Sequence, residues 1–431
     1  MKVLIIGNGG REHALAWKCA QDQNVKTVYV APGNAGTANE LKVQNLEIDA
    51  GDFEAITKFC SEQPIDLVIV GPEQPLVDGL SDYLNHNGVP TFGPSARAAR
   101  LEASKSFSKD CFKKYDIPSA DYEVFDSHSM AMHYIQSQTF PLVIKADGLA
   151  AGKGVIICPE IKHAEATIDD IFLKKRFGDA GKKVVIESFL EGEEASFIAV
   201  VSNTQIIPLA TSQDHKAAYD NDLGPNTGGM GAYSPAPIIN DQLHQQIMDQ
   251  VMLPTVNGLI KENSPYLGFL YAGLMINEND INVLEFNCRF GDPETQPILM
   301  RMQSSLVELC NAAIKNNLSD HEVIWHNEHA CGVVIAADGY PSNYKTGQKI
   351  NFNTNETSQM KIFHAGTKRD GNDILTSGGR VLCATALGDD LKSAKQNAYK
   401  LVDDINFEGM HFRKDIGNKG CLLYTSDAAD E

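Results

Sequence analysis

Glu285, Asn287 and Arg289 occupy every second position of the run Val283-Leu284-Glu285-Phe286-Asn287-Cys288-Arg289-Phe290. In an extended strand, side chains alternate faces with a period of two. The three polar residues then share one face, and Leu284, Phe286, Cys288 and Phe290 share the other. A carboxylate and an amide oxygen in a row suit a hard cation such as Mg²⁺, which takes oxygen ligands and shares itself with substrate phosphates. A planar guanidinium next in the row suits a phosphoryl group in transfer. Cys288 points to the apolar side and reads as packing, not as a nucleophile. The same pattern also fits a half-exposed antiparallel strand with a solvated polar face. Phosphate-binding groups elsewhere in the chain must decide between the two.

Three glycine-rich stretches are candidates. Gly7-Asn8-Gly9-Gly10 lies between a buried strand over 2–6 and a helix from Arg11 to about Cys19. A phosphate can rest on a helix N-terminus after such a turn. The dinucleotide fingerprint G-x-G-x-x-G breaks at its last position, Glu12, which argues against NAD. The second stretch, Asp147-Gly148-Leu149-Ala150-Ala151-Gly152-Lys153-Gly154, follows a strand that ends near Lys145. It is not a P-loop: its spacing is one residue short, Gly154 stands where Ser or Thr belongs, and an apolar β-like run follows. It reads as a flap between two strands. Its N–H groups can close over phosphates, with Lys145 and Lys153 supplying charge. The plainer reading is a mobile hairpin with a solvated lysine. The third stretch, 224–235, is too long for a mere connector. His215 just before it reads as a hydrogen-bonding loop residue, since nothing in the sequence fixes an acid–base partner for it. A strand over 184–188 runs into Phe189-Leu190-Glu191-Gly192-Glu193-Glu194. Backbone groups there suit a base edge, and a carboxylate suits ribose hydroxyls.

The elements that carry these stretches follow from periodicity. Strands over 2–6, 27–31 and 67–71, with helical stretches between, give a βαβ rhythm and a parallel sheet. Gly71-Pro72-Glu73 lies just past a strand's carboxyl end, where open α/β sheets bind ligands. The stretch 96–115 reads as one helix carrying Lys105. Hairpins are expected over 195–201 with 205–210, and over 269–276 with 281–290. Helices are expected over 241–263, interrupted at Pro254, and over 296–317. A third unit begins near residue 328, with strands over 331–336, 361–363 and 380–385 and a helix over 391–405.

The chain has 431 residues, enough for two to four domains, and its 43% hydrophobic content is ample for real cores. A net charge of −19 argues against a nucleic-acid partner. Any phosphate must therefore be met by local cations and N–H groups. The nine cysteines are scattered and contain no CxxC, which excludes a zinc knuckle and suits reduced thiols in a cytoplasmic protein. No apolar run is long enough to span a membrane.

Together these segments resemble the phosphoribosylamine–glycine ligases, a family of the ATP-grasp superfamily. The resemblance covers about residues 1–417. It rests on Gly9-Gly10-Arg11-Glu12-His13, on 145–155, on 224–235, and above all on Asn287-Cys288-Arg289-Phe290-Gly291-Asp292-Pro293-Glu294-Thr295-Gln296. It implies an α/β and α+β multidomain fold. An N-terminal parallel-sheet, substrate-binding domain would span 1–101. An ATP-grasp domain with two antiparallel-sheet lobes would span 102–326, its flap lobe over about 121–190. A small C-terminal α+β domain would span 327–417. The implied reaction is ATP-dependent joining of glycine to 5-phosphoribosylamine through a glycyl phosphate, in purine synthesis. The family holds Mg²⁺ or Mn²⁺ through the residues that are Glu285 and Asn287 here. Arg289 is expected at the transferring phosphoryl group. Lys105, Lys145, Gly148, Gly152, Lys153 and Gly154 are expected at the ATP phosphates, and Glu187 and Glu194 on the adenosine side. Gly9, Gly10 and Glu73 would meet the phosphoribosyl group. Asp214 would act catalytically with Thr227, Gly228, Gly229 and Gly231 where glycine and amine meet. A monomer in the cytoplasm, with small-molecule partners only, is expected.

Residues 418–431 depart from the family's ending and read as a foreign, disordered tail. Two competing readings are another ATP-grasp enzyme, such as a carboxylase working through carboxyphosphate, and a nucleotide sensor or dinucleotide oxidoreductase built on the N-terminal unit. The break at Glu12 and the polar strand both oppose the last.

Overall fold

The computed structural model describes residues 1–150, 152–353 and 356–427. Ala151 of the flap and residues 428–431 of the tail lie outside them.

The first unit is a five-stranded parallel sheet in the order Val43–Asn45, Thr27–Pro32, Lys2–Gly7, Leu67–Val70, Thr91–Phe92. Its central strands, Lys2–Gly7 and Leu67–Val70, are nearly continuous apolar runs because helices cover both faces. Ile6 pairs with Val70, so the turns at Gly7 and Gly71 lie side by side at the carboxyl edge. Glu12 explains the broken fingerprint. Its carboxylate turns back to accept the Gly9 N–H at 2.6 Å, as in a capping box, and a Cβ on Gly7 or Gly71 would collide with it.

The stretch expected as one helix over 96–115 is two, Ala96–Ala103 and Lys105–Lys114. Ser104 caps the second by accepting the Phe107 N–H, and Asp147 from the flap lobe accepts the Ser106 N–H at 2.7 Å. The break turns Lys105 toward the cleft below. The helix over 296–317 likewise divides into Thr295–Arg301 and Leu306–Ile314. The helix over 241–263 becomes Asp241–Ile247, a π-turn Met248–Met252 and Leu253–Lys261. Pro254 thus falls in a first turn, where no N–H is needed.

The flap lobe is a four-stranded antiparallel sheet, Tyr122–Phe125, Val184–Ser188, Leu142–Ala146, Val155–Cys158. A second antiparallel sheet runs Gln205–Pro208, Glu193–Ser202, Leu267–Asn277, Asp280–Asn287. The third sheet joins Gln213–Asp214 and Gly231–Ser234 to the C-terminal strands His329–Ala337, Arg380–Gly388 and Met360–His364. One hydrogen-bonded sheet therefore contains strands from both sides of residues 326 and 327. Residues 418–427 form a helix, Asn418–Asp427, where disorder was expected. Its first turn is docked: Lys419 pairs with Asp222 at 2.8 Å, and Cys421 packs on the C-terminal core.

The N-terminal sheet meets the C-terminal sheet through a buried polar chain. His13 Nε2 contacts Glu40 Oε1 at 3.0 Å, His13 Nδ1 accepts the His364 N–H at 2.7 Å, and Lys361 bridges Glu40 and Glu356. Burial alone would raise the Glu40 carboxyl, but the His13 hydrogen bond and the Lys361 charge outweigh it and hold it at about 2, against an ordinary 4.5. A depressed carboxylate stabilises the fold fully above the ordinary value and loses that contribution as pH falls toward the depressed one. Glu40→Gln is expected to cost about 3 kcal/mol at neutral pH. In urea unfolding at a series of pH values, the gap to the parent protein should close as pH falls from about 4.5 toward 2; a gap that stays constant would contradict this network.

Candidate functional site

The strand Asp280–Asn287 pairs regularly with Leu267–Asn277 until Gly273 pairs with Glu285 and Leu274 with Val283. Leu284 is the extra residue of a β-bulge, which locally shifts the alternation. Ile281, Val283, Phe286 and Cys288 therefore share one core, while Leu284 and Glu285 both face a cleft. This corrects the placement of Leu284 on the apolar face. Its carbonyl accepts from Lys145 Nζ at 3.1 Å. Phe290, beyond a bend at 288–289, enters a different core against Phe269. Cys288 is buried packing, as expected.

The cleft holds about 590 Å³ and is lined from all three sheets. Eight cations line it: Arg11, Lys105, Lys109, Lys145, Lys153, Lys216, Arg289 and Arg380. Eight carboxylates face them: Glu73, Glu102, Glu187, Glu194, Asp214, Glu285, Asp292 and Glu294. One end is apolar, with Phe112, Val143, Ile157, Phe189, Leu190 and Met275. There Glu187, 3% exposed, pairs through Oε2 with Lys145 at 2.9 Å and Lys109 at 3.2 Å, while its Oε1 is buried with no hydrogen-bond partner. Burial lowers the Lys109 ammonium to about 8 and also lowers Lys105.

The flap arches over the middle. Lys153 and Gly154 line the cleft, and a Cβ on Gly152 would lie 3.2 Å from the Thr227 carbonyl, so the flap tip meets the long glycine loop. Gly148 is set back against Ala180, and Lys105 Nζ reaches its carbonyl at 3.4 Å. Glu194 pairs with Lys216 at 2.7 Å. Asp214, next to Lys216, is raised well above the ordinary value by burial and by Glu294. Glu294 is fixed by Ser196 Oγ at 3.1 Å, and Ser196 by the Tyr271 hydroxyl at 2.9 Å.

The far end is a guanidinium cluster. The Phe290 carbonyl accepts from Arg11 Nη1 at 3.3 Å and from Arg289 Nη1 at 3.2 Å. Glu73 lies near both, 3.4 Å from Arg289 Nε, and Arg289 and Arg11 hold its carboxyl below the ordinary value although burial would raise it. Arg380 donates to the carbonyls of Gly228 at 2.8 Å and Asp292 at 2.6 Å, and pairs with the Asp292 carboxylate at 3.1 Å. Thr227 and Gly228 line the cleft. Gly9 and Gly10 stand behind Asp292 and outside the lining, and Gly9's N–H is already taken by Glu12. Gly229 packs on Pro293 beside Asp214. Gly231 sits in the sheet opposite Val333. His215 is buried, bonded to the Gly231 carbonyl and lowered to about 4 by burial and Arg413, so it stays neutral and away from the cleft.

The sequence reading assigned no role to Arg11, Glu102, Lys109, Lys216, Asp292, Glu294 or Arg380. Arg11, Asp292 and Glu294 stood inside the motifs that carried the resemblance. Lys109 follows Lys105 by one helical turn and so shares its face. Arg380 comes from a separate segment, and nothing local marks it.

Glu285 and Asn287 can hold a hard cation. Burial would raise Glu285, but Lys216, Lys105 and Lys145 keep it ionised. It has no hydrogen bond or ion pair among the described residues, so its oxygens are free to coordinate. Among those residues no cluster of three His, Cys, Asp or Glu offers an all-protein metal cage. Two oxygen donors beside a phosphate pocket suit an ion that draws its other ligands from phosphates and water.

Family profiles described as phosphoribosylglycinamide synthetase match in sequence order: the N domain over 1–102, the ATP-grasp (A) domain over 103–295 and the C domain over 330–419. A phosphoribosylamine–glycine ligase of Vibrio parahaemolyticus is 53% identical over 419 residues, 97% of this chain and 98% of that protein. The crystal structure of the phosphoribosylamine–glycine ligase of Thermotoga maritima matches with a TM-score of 0.84 at 33% identity, covering 96% of this chain and 100% of that one. A biotin carboxylase of Campylobacter jejuni, solved as a complex with βγ-ATP, matches with a TM-score of 0.73 at 13% identity, covering 95% and 92%; that likeness speaks to fold alone.

Arg380 ties the glycine loop to Asp292 from a separate segment of chain. Arg380→Ala is expected to raise amide hydrogen exchange across 227–231 by about tenfold or more, the equivalent of about 1.4 kcal/mol in local opening, while exchange in the strand Asp280–Asn287 stays unchanged. Unchanged exchange in the loop would remove Arg380 from that role.

Proposed function

The chain belongs to the phosphoribosylglycinamide synthetase family, and from that membership we propose how its cleft performs the family's reaction. The activity is phosphoribosylamine–glycine ligation in purine biosynthesis, and it uses ATP with a divalent metal. The observation that carries the site reading is the bulged strand: it turns Glu285, Asn287 and Arg289 toward the same cleft as Lys105, Lys145 and the flap.

A carboxylate is a poor acyl donor because its leaving group would be oxide. Phosphorylating glycine supplies a leaving group, and transfer between two anions needs charge neutralisation more than a protein nucleophile. The base of ATP lies at the apolar end, where the free Glu187 Oε1 accepts an exocyclic amino group and Glu194 reaches the ribose. Lys105, Lys145, Lys153 and the backbone of the flap, Gly148 through Gly154, hold the phosphates. Glu285 and Asn287 would hold Mg²⁺ or Mn²⁺, which would supply charge neutralisation for the phosphates. Arg289 meets the phosphoryl group as it moves. The amine of phosphoribosylamine then attacks the glycyl carbon, the C–O bond to phosphate breaks, and the amine proton passes to Asp214. Burial and Glu294 give Asp214 the raised basicity this needs. The phosphoribosyl group lies at the guanidinium end, near Glu73 and the Gly9–Gly10 turn. Thr227, Gly228, Gly229 and Gly231 shape the junction. The flap and Tyr340 keep water from an acyl phosphate that would hydrolyse.

Among the described residues no helix is long and apolar enough to cross a membrane. All nine cysteines are free thiols, which supports a reducing, cytoplasmic setting. We divide the chain at 1–101, 102–326 and 327–417, and place residues 418–431 outside the reaction.

ADP release should require glycine and phosphoribosylamine together. Full-rate release with glycine alone would reduce the reading to a carboxylate kinase, and no release with all three substrates would overturn it. Glu285→Ala should raise the barrier by at least about 2 to 4 kcal/mol at saturating Mg²⁺; turnover near that of the parent would remove Glu285 from the metal site.

A further inference from the structure

Arg289 is held from several sides, and one of its holders has no role in the account above. Glu102 is the penultimate residue of the helix Ala96–Ala103, just before the Ser104 break. It is 8% exposed. Its Oε1 pairs with Arg289 Nη2 at 2.9 Å. Its Oε2 accepts the backbone N–H of Cys288 at 2.8 Å and lies 3.1 Å from the Cys288 thiol. One carboxylate thus grips both the main chain before Arg289 and the guanidinium itself. Asn287 Oδ1 takes a second hydrogen bond from Nη2 at 3.3 Å, and the Phe290 carbonyl takes one from Nη1. Glu73 faces Nε at 3.4 Å but does not hydrogen-bond it, and that N–H is buried with no acceptor.

We propose that Glu102 is the positioning residue for Arg289: it fixes the guanidinium by Nη2 and the adjoining main chain, so that the unpartnered Nε–H stays aimed at an oxygen of the moving phosphoryl group. This rests on the reading that Arg289 serves phosphoryl transfer. A buried guanidinium needs a buried counter-charge to stay in one orientation, and Glu102 is the more deeply buried of its two acids, with side-chain exposures of 7% and 31%. Without it, Arg289 would swing to Glu73 and close its free N–H against that carboxylate. Glu102 also joins the two halves of the site. The helix it ends packs in the N-terminal unit's core, the strand it grips carries the metal donors, and Lys105 enters the cleft three residues later. A shift of about 1 Å in a positioned group can cost about 100-fold in rate.

The test is a double-substitution cycle on the full chain, read as kcat, KM for ATP and melting temperature. Glu102→Gln keeps an acceptor for the Cys288 N–H but loses the charge. It should lower kcat by about 10- to 100-fold with KM for ATP within about twofold. Glu102→Asp, which restores the charge one methylene back, should recover part of that loss. Should Glu102→Gln fail to fold, Glu102→Asp carries the same cycle. Arg289→Lys should lower kcat strongly by itself, and adding the Glu102 substitution to it should lower kcat by no more than about threefold further. Losses that multiply in the double variant, or a Glu102→Gln enzyme with the parent's kcat, would overturn the positioning role. Full activity in Arg289→Lys alone would instead overturn the assignment of Arg289.

Discussion

One inserted residue opposite Gly273 and Leu274 decides what this cleft can do. The bulge at Leu284 lets Val283 and Phe286 reach the same core although they are three residues apart, and it leaves Leu284 and Glu285 facing the cleft together. It also frees the Leu284 carbonyl to accept from Lys145. Lys145 stands at the root of the flap and shares Glu187 with Lys109. The strand carrying Glu285 and Asn287, the flap sheet and the helix carrying Lys105 and Lys109 are thus linked through one carbonyl and one carboxylate. Bulges beside active sites commonly re-aim a side chain. Here the re-aimed residue is Glu285.

The second constraint is charge. Sixteen ionisable groups line about 590 Å³, and a buried charge is tolerated only when paired. Most are paired: Glu187 with two lysines, Glu194 with Lys216, Asp292 with Arg380, Glu102 with Arg289. Several groups are left incompletely met, and three of them bear on the proposed nucleotide site. Glu187 Oε1 and Arg289 Nε have no hydrogen-bond partner, and Glu285 has cations around it but none in contact. In the proposed site these lie at the base end, at the phosphoryl end and between them. A nucleotide triphosphate with its metal has matching groups in that order: an amino donor, a hard cation and a phosphoryl oxygen. This charge economy also explains how a chain of net charge −19 can handle anions. The cations are local and already oriented.

Much of this was legible in the residues, for physical reasons. Period-two alternation put Glu285, Asn287 and Arg289 together, and the glycine flap with its lysines gave them a phosphate to work on. The parallel N-terminal sheet followed from its apolar runs. The misreadings have equally physical causes. A bulge leaves almost no local mark, so Leu284 was put on the wrong face. Ser104 tolerates a helix interior as well as a cap, and the carboxylate that rewards the break, Asp147, is 41 residues away from the N–H it accepts. Glu12 signalled only what the first turn does not bind; that its carboxylate occupies the turn needs coordinates. Arg380 was invisible because its partners, Gly228 and Asp292, lie 152 and 88 residues off along the chain. The third sheet crosses what looked like a domain limit, since pairing between distant strands leaves no periodic trace.

The central claim is that Glu285 and Asn287 hold a divalent metal shared with the phosphates of ATP. Calorimetric titration of a non-hydrolysable ATP analogue tests it without turnover, comparing Mg²⁺ with chelator in the parent protein and in Glu285→Gln. The parent should bind the analogue at least about tenfold more tightly with Mg²⁺, about 1.4 kcal/mol, and the variant should show little or none of that gain. An equal Mg²⁺ enhancement in both proteins would contradict the account.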